Sequence, residues 1–299
     1  MVTGKLTVGL VQHECSADTA TNLNNCVAGI REAAGNGARL VILPELHNTR
    51  YFCQTENDAN FDLAETIPGP TTQRLSQLAE ELGTVIVGSL FERRARGVYH
   101  NTAAVIDSDG SLAGIYRKMH IPDDPGYYEK YYFAPGDLGF TPINTTVGRL
   151  GVLICWDQWF PEAARLMTLA GADLLIYPTA IGWNPDDELA ERQRQRDAWI
   201  TVQRAHAIAN GSPVIVCNRT GHEDDPSGQS AGIDFWGSSF VSGPQGETIV
   251  TATADQPAVI NAEVDFDRCE QVRRVWPYLR DRRIDAYHDL ERRYLDARQ

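Results

Sequence analysis

The chain has 299 residues, 42% apolar and 22% charged, with 27 basic against 40 acidic side chains for a net charge of −13. So acidic a surface disfavours nucleic acid and anionic membrane as partners, and no apolar run approaches the ~20 residues of a membrane-spanning helix. The six cysteines, at 15, 26, 53, 155, 217 and 269, form no C-x-x-C pair, which argues against a disulfide framework and a zinc site. With no signal-peptide architecture before Leu10, the expected home is the reducing cytoplasm.

In chain order, Leu6–Gln12 reads as a buried strand, followed by a helix with Leu23, Val27, Ile30 and Ala34 at helical spacing, ending near Gly35 and Gly37. Leu40–Leu43 is a second strand. Pro70 opens a helix with Leu75, Leu78, Ala79 and Leu82 on one face. Thr84–Leu90 and Ala103–Ile106 are strands, and Asp107–Gly110 is a turn into Leu112–Arg117. The second half repeats the theme with strands at Leu150–Ile154, Asp173–Tyr177 and Pro213–Cys217, a helix from Pro161 and a long one over Asp187–Asn210. Hairpin-like segments follow to about Val264, and the arginine-rich stretch Arg273–Arg293 reads as a terminal helix or arm. Gly35-Asn36-Gly37 follows a helix rather than opening one, so it is a turn and not a phosphate loop. This order predicts an α/β or α+β layered fold, one domain over 1–299 with an arm from about 270 to 299.

Three reactive residues stand directly after predicted buried strands: Glu45, Lys118 and Cys155. Strand ends are where sheets of this kind place their sites, because the strand fixes the residue and the loop opens a crevice. The helix expected from Pro161 places its N-terminus near Cys155, where it favours a thiolate. Each residue also has a plain structural reading, as core thiol, loop carboxylate or solvated cation. From residue types alone, a Cys155–His120 pair is the natural alternative, since histidine is the usual base of cysteine hydrolases. The other histidines show no ligand-like clustering, so no metal and no cofactor is expected.

The flanking residues narrow the choice. Pro44-Glu45-Leu46, Arg117-Lys118-Met119-His120-Ile121-Pro122 and Cys155-Trp156-Asp157-Gln158-Trp159-Phe160-Pro161-Glu162 resemble, in order, the signature segments of the nitrilase superfamily. Glu129-Lys130-Tyr131-Tyr132-Phe133-Ala134-Pro135-Gly136-Asp137 resembles the stretch carrying that family's second active-site glutamate. The resemblance implies a four-layer αββα sandwich that cleaves nitriles, amides or carbamoyl groups through a covalent intermediate. It implies Cys155 as nucleophile, Glu45 as general base and acid, Lys118 with the Trp156 N–H as oxyanion donors, and Glu129 as the group holding Lys118. It makes His120 structural and leads to an assembly of at least a dimer.

Within the superfamily, Lys118–Lys130, Cys155–Glu162 and Pro178–Gly182 resemble the branch of N-carbamoylputrescine amidases, whose substrate is a small carbamoyl amine. Relatives acting on N-carbamoyl amino acids place arginines shortly after the nucleophile, where Gln158 and Trp159 stand here. Loss of these cations argues against a carboxylate tail. Substrate contacts are expected from Trp156, Gln158, Trp159, Asp124 and Thr179, and the tail amine from one of Asp123, Asp124, Asp186, Asp187 or Glu188. A β-ureidopropionase-like enzyme and a catalytically silent scaffold are the alternatives.

Overall fold

Alternation along single strands decides the layering. In the computed structural model, which describes residues 3–296, the first half runs β1 (Lys5–Gln12), α1 (Thr19–Gly35), β2 (Leu40–Ile42), α2 (Pro70–Leu82), β3 (Val85–Ala95), β4 (Val98–Ile106), β5 (Leu112–Arg117) and the one-turn α3 (Glu129–Tyr132). The second runs β6 (Ile143–Thr145), β7 (Gly148–Val152), α4 (Pro161–Leu169), β8 (Leu174–Thr179), β9 (Gly182–Trp183), α5 (Leu189–Asn210) and β10 (Val214–Asn218). It closes with β11 (Thr220–Glu223), β12 (Ile233–Trp236), β13 (Phe240–Ser242), β14 (Thr248–Thr251), β15 (Ala258–Asp265) and α6 (Phe266–Val275).

Two sheets of six strands result, in the orders β15-β1-β2-β3-β4-β5 and β14-β13-β10-β8-β7-β6. Each has three parallel strands at its centre, β1-β2-β3 and β7-β8-β10, flanked by antiparallel ones. Leu40, Ile42, Val85 and Val87 turn inward and pack with Leu150, Val152, Ile176 and Val216 of the second sheet. The intervening Val41, Leu43 and Ile86 turn outward, where Val27, Ile30, Leu75 and Leu78 of α1 and α2 cover them. Both faces of these strands are therefore apolar, as a doubly covered sheet requires. Ala163, Ala164 and Met167 of α4 and Trp199 and Ala207 of α5 cover the second sheet, completing the αββα sandwich. A small third sheet, β11-β12-β9, lies outside these layers.

Three expectations shift. The buried stripe of α1 runs through Cys26, Val27, Gly29, Ile30 and Ala33, leaving Leu23 and Ala34 half-buried. Gly29 sits so close to Val11 that a Cβ there would lie 2.3 Å from Val11 Cγ1, so the helix approaches the sheet along its glycine line. α5 begins at Leu189 because Asp187 is held in a turn by its N–H to Asn184 O. The arginine-rich segment is helical only to Val275 and then irregular, with short turns at Ile284–Ala286 and His288–Glu291; positions 297–299 of the expected arm lie outside the described residues. Among the described residues no helix is long and apolar enough to cross a membrane.

Candidate active site

Glu45, Lys118 and Glu129 meet in the interior, each with a fully buried side chain. Lys118 Nζ donates to Glu45 Oε1 at 2.8 Å and to Glu129 Oε2 at 2.7 Å. Burial opposes the charge of Lys118, but the two carboxylates outweigh it and hold its pKa well above the ordinary lysine value. Burial lifts Glu129 above the usual carboxylate range against the pull of Lys118. Both its oxygens nevertheless accept from donors, Oε1 from the Tyr51 hydroxyl at 2.7 Å, which is the arrangement of an ionised carboxylate. Glu45 differs: its Oε1 accepts from Lys118 and from Asn101 Nδ2 (2.7 Å), while its Oε2 has no hydrogen-bond partner. That buried oxygen is the one place in the cluster open to a proton.

Cys155 begins a short 3-10 turn, Cys155–Trp159, three residues beyond the end of β7. Its φ is 40° and that of Leu46, beside Glu45, is 49°, both in the left-handed region that side chains rarely adopt. The thiol is 5% exposed and touches little: Ala180 O lies at 3.9 Å and Gln158 Nε2 at 4.0 Å. Here one expectation is corrected. The thiol is not predisposed to ionise, because burial and the nearby Glu45 push its pKa well up, and Lys118 offsets only part of this. A base is therefore needed to make the thiolate.

A cavity of about 580 Å³ opens beside Cys155 and Glu129, walled by Tyr127, Trp156, Trp159 and Trp236. Of the expected contacts, Asp124, Trp156 and Trp159 line it. Gln158 and Thr179 do not: they lie wholly buried behind Cys155, Gln158 Oε1 accepting from Trp199 Nε1 (2.9 Å) and from the Thr179 hydroxyl (3.4 Å). Trp156 and Trp159, three apart in the 3-10 turn, both line the cavity, whereas Gln158 is drawn inward by its bonds to Trp199 and Thr179. Among the five acids expected near the tail only Asp124 lines the cavity, and Glu191 of α5, missed in the sequence, joins it. Arg194 also stands on this wall, so the cavity does hold a cation, although not in the segment that follows Cys155.

The sequence matches the carbon–nitrogen hydrolase family over residues 7–274. The chain belongs to that family. This hydrolase is 45% identical over 288 residues to an N-carbamoylputrescine amidase of Solanum lycopersicum, covering 95% of this chain and 94% of that one. It is 42% identical to a citrullinase of Francisella tularensis, covering 96% and 98%. The crystal structure of a carbon–nitrogen hydrolase from Helicobacter pylori G27 superposes with a TM-score of 0.95 at 51% identity, over 97% of this chain and 100% of that one.

Several residues that hold the hydrolase's site together had no signal in the sequence. Arg219, fully buried after β10, donates to the carbonyls of Glu45 (2.7 Å) and Leu46 (3.0 Å) and pairs with Glu223 Oε1 at 2.7 Å. Asp157 joins two of the signature segments. Its Oδ2 accepts from the Tyr116 hydroxyl and Ile154 N, and its Oδ1 from the backbone N and Nδ1 of His120. With Nδ1 so engaged and its ring stacked 3.8 Å from that of Phe160, His120 is placed as a strut. His120→Ala is expected to lose less than about tenfold in rate, against the roughly 10²–10⁴-fold loss on removing a base; steady-state ammonia release measures this.

Proposed function

We propose that this hydrolase converts N-carbamoylputrescine to putrescine, ammonia and carbon dioxide through a covalent intermediate on Cys155. The observation that carries this is the buried Glu45–Lys118–Glu129 cluster beside a thiol at the closed end of an aromatic cavity with carboxylates on its wall. The named N-carbamoylputrescine amidase among its relatives supports the choice of substrate.

Glu45 Oε2 takes the Cys155 proton and the thiolate adds to the carbamoyl carbon. The carbonyl oxygen gains the negative charge, which Lys118 and the Trp156 N–H stabilise. The tetrahedral adduct collapses by breaking the C–NH₂ bond, and ammonia leaves with the proton from Glu45. Water then gives a proton to Glu45 and attacks the thiocarbamate, the S–C bond breaks, and Cys155 recovers its proton. The released carbamic acid loses carbon dioxide to leave putrescine. Glu129, anchored by Tyr51, keeps Lys118 aimed throughout. The enzyme works in the cytoplasm as at least a dimer; the exposed apolar side chains of Val275 and Ile284 on the C-terminal segment support assembly.

The expected kcat/KM for N-carbamoylputrescine is at least ~100-fold above that for N-carbamoyl-β-alanine, equivalent to about 2.7 kcal/mol. Arg194 favours one alternative, a ureido amino acid such as citrulline, whose carboxylate it could neutralise; the named citrullinase relative points the same way. Competition assays with the three compounds decide. Preference for citrulline would replace the proposed substrate, and preference for N-carbamoyl-β-alanine would move the enzyme to another branch.

A further inference from the structure

The cavity wall carries an ion pair that these steps do not use. Near the start of α5, Arg194 donates to Glu191 Oε2 from Nε at 2.9 Å and from Nη2 at 2.5 Å, and both residues line the cavity. Gln195 and Ala198 of the same helix line it too, so one face of α5 forms a continuous strip of the wall.

Position comes first. Trp199, next to Ala198, is fully buried and bonds Gln158 behind the nucleophile, so α5 leads from the reacting end of the cavity outward. At the helical rise, Glu191 lies about 10 Å along the axis from Ala198. A four-carbon tail and one ammonium–carboxylate hydrogen bond together span about 10 Å from the carbamoyl carbon. The charge setting agrees. Glu191 sits in the first turn of α5, where the helix dipole favours a carboxylate, and Gln195 Nε2 donates to its Oε1 at 3.4 Å. Of the other acids on the wall, Glu129 is taken by Lys118 and Tyr51, and Asp124 is an exposed loop residue with less to fix it.

The third observation is Arg194 itself. Its guanidinium already occupies the place on Glu191 that a substrate ammonium would take. The Arg194 and Glu191 side chains are 68% and 43% exposed, and an ion pair so exposed is weak and readily exchanged.

We infer that Glu191 receives the terminal ammonium of the substrate and that Arg194 is its resident counter-ion, displaced as the tail arrives and competing with it. This rests on the ureido-amine substrate proposed above. The test is steady-state kinetics of the full-length enzyme on N-carbamoylputrescine and on N-butylurea, which keeps the carbon chain and lacks the amine. Glu191→Gln is expected to raise KM for N-carbamoylputrescine by about five- to tenfold with kcat nearly unchanged, and to leave N-butylurea unaffected. Arg194→Met is expected to lower the same KM by about threefold, since the carboxylate loses its competitor. An unchanged KM in Glu191→Gln, equal losses on both substrates, or a raised KM in Arg194→Met overturns the assignment. Failure of the parent enzyme to turn over N-carbamoylputrescine would instead overturn the substrate itself, and with it the inference, before any variant is made.

Discussion

Cys155→Ala is expected to cut ammonia release by about five to six orders of magnitude while leaving the unfolding midpoint close to that of the parent. The fold should survive because the sulfur makes only long contacts, 3.9 Å to Ala180 O and 4.0 Å to Gln158 Nε2. Alanine also keeps a Cβ on the same backbone, so it adds no new strain. Acid quench of the parent enzyme during turnover, followed by peptide mass spectrometry, should find the N-(4-aminobutyl)carbamoyl adduct on the Cys155 peptide. All six cysteines are free and buried, so burial does not single this one out. What does is its place: of the six, Cys155 is the one that lines the cavity beside Glu129. Retained turnover in the alanine variant would end the covalent proposal.

Glu45→Gln is expected to lose about three to four orders of magnitude in kcat with a small change in KM, because it removes the group proposed as base and later as acid. The substitution is mild structurally. A glutamine oxygen can still accept from Lys118 and Asn101, which both reach Oε1, and the amide then stands where the unpartnered Oε2 was. Burial disfavours the thiolate, and both oxygens of the neighbouring Glu129 are already engaged, so the chemical step itself should slow. Burst kinetics would separate this from slow product release. A parent-like rate in Glu45→Gln beside a dead His120→Ala would restore the Cys–His mechanism.

The alternation of strands and helices pointed to an α/β or α+β layered fold, and the four layers came from the family resemblance. Leu40-Val41-Ile42-Leu43 is apolar throughout, and only the structure turns Leu40 and Ile42 one way and Val41 and Leu43 the other. The reactive residues could be found at strand ends, and the signature segments tied them to one chemistry. The supporting contacts could not. Arg219 reaches Glu45 O across 174 positions, and a lone arginine after a strand looks like any other. Tyr51 and Asn101 meet the carboxylates through side chains brought together only once β2 to β5 lie side by side in the first sheet. Glu191 and Arg194 were hidden differently: three residues apart on a helix, they look like an ordinary solvated pair until the cavity is seen beside them. Gln158 was misjudged because its partners, Trp199 on α5 and Thr179 at the end of β8, lie far along the chain and draw its side chain away from the cavity.

The left-handed φ of 40° at Cys155 also bears on how such an enzyme can evolve. A β-branched residue would bring two heavy atoms on Cβ into that conformation, so threonine, a competent nucleophile on other scaffolds, is barred by the main chain. Serine carries no such penalty. The main chain at this position thus discriminates between the two hydroxyl nucleophiles, leaving serine open where threonine is strained.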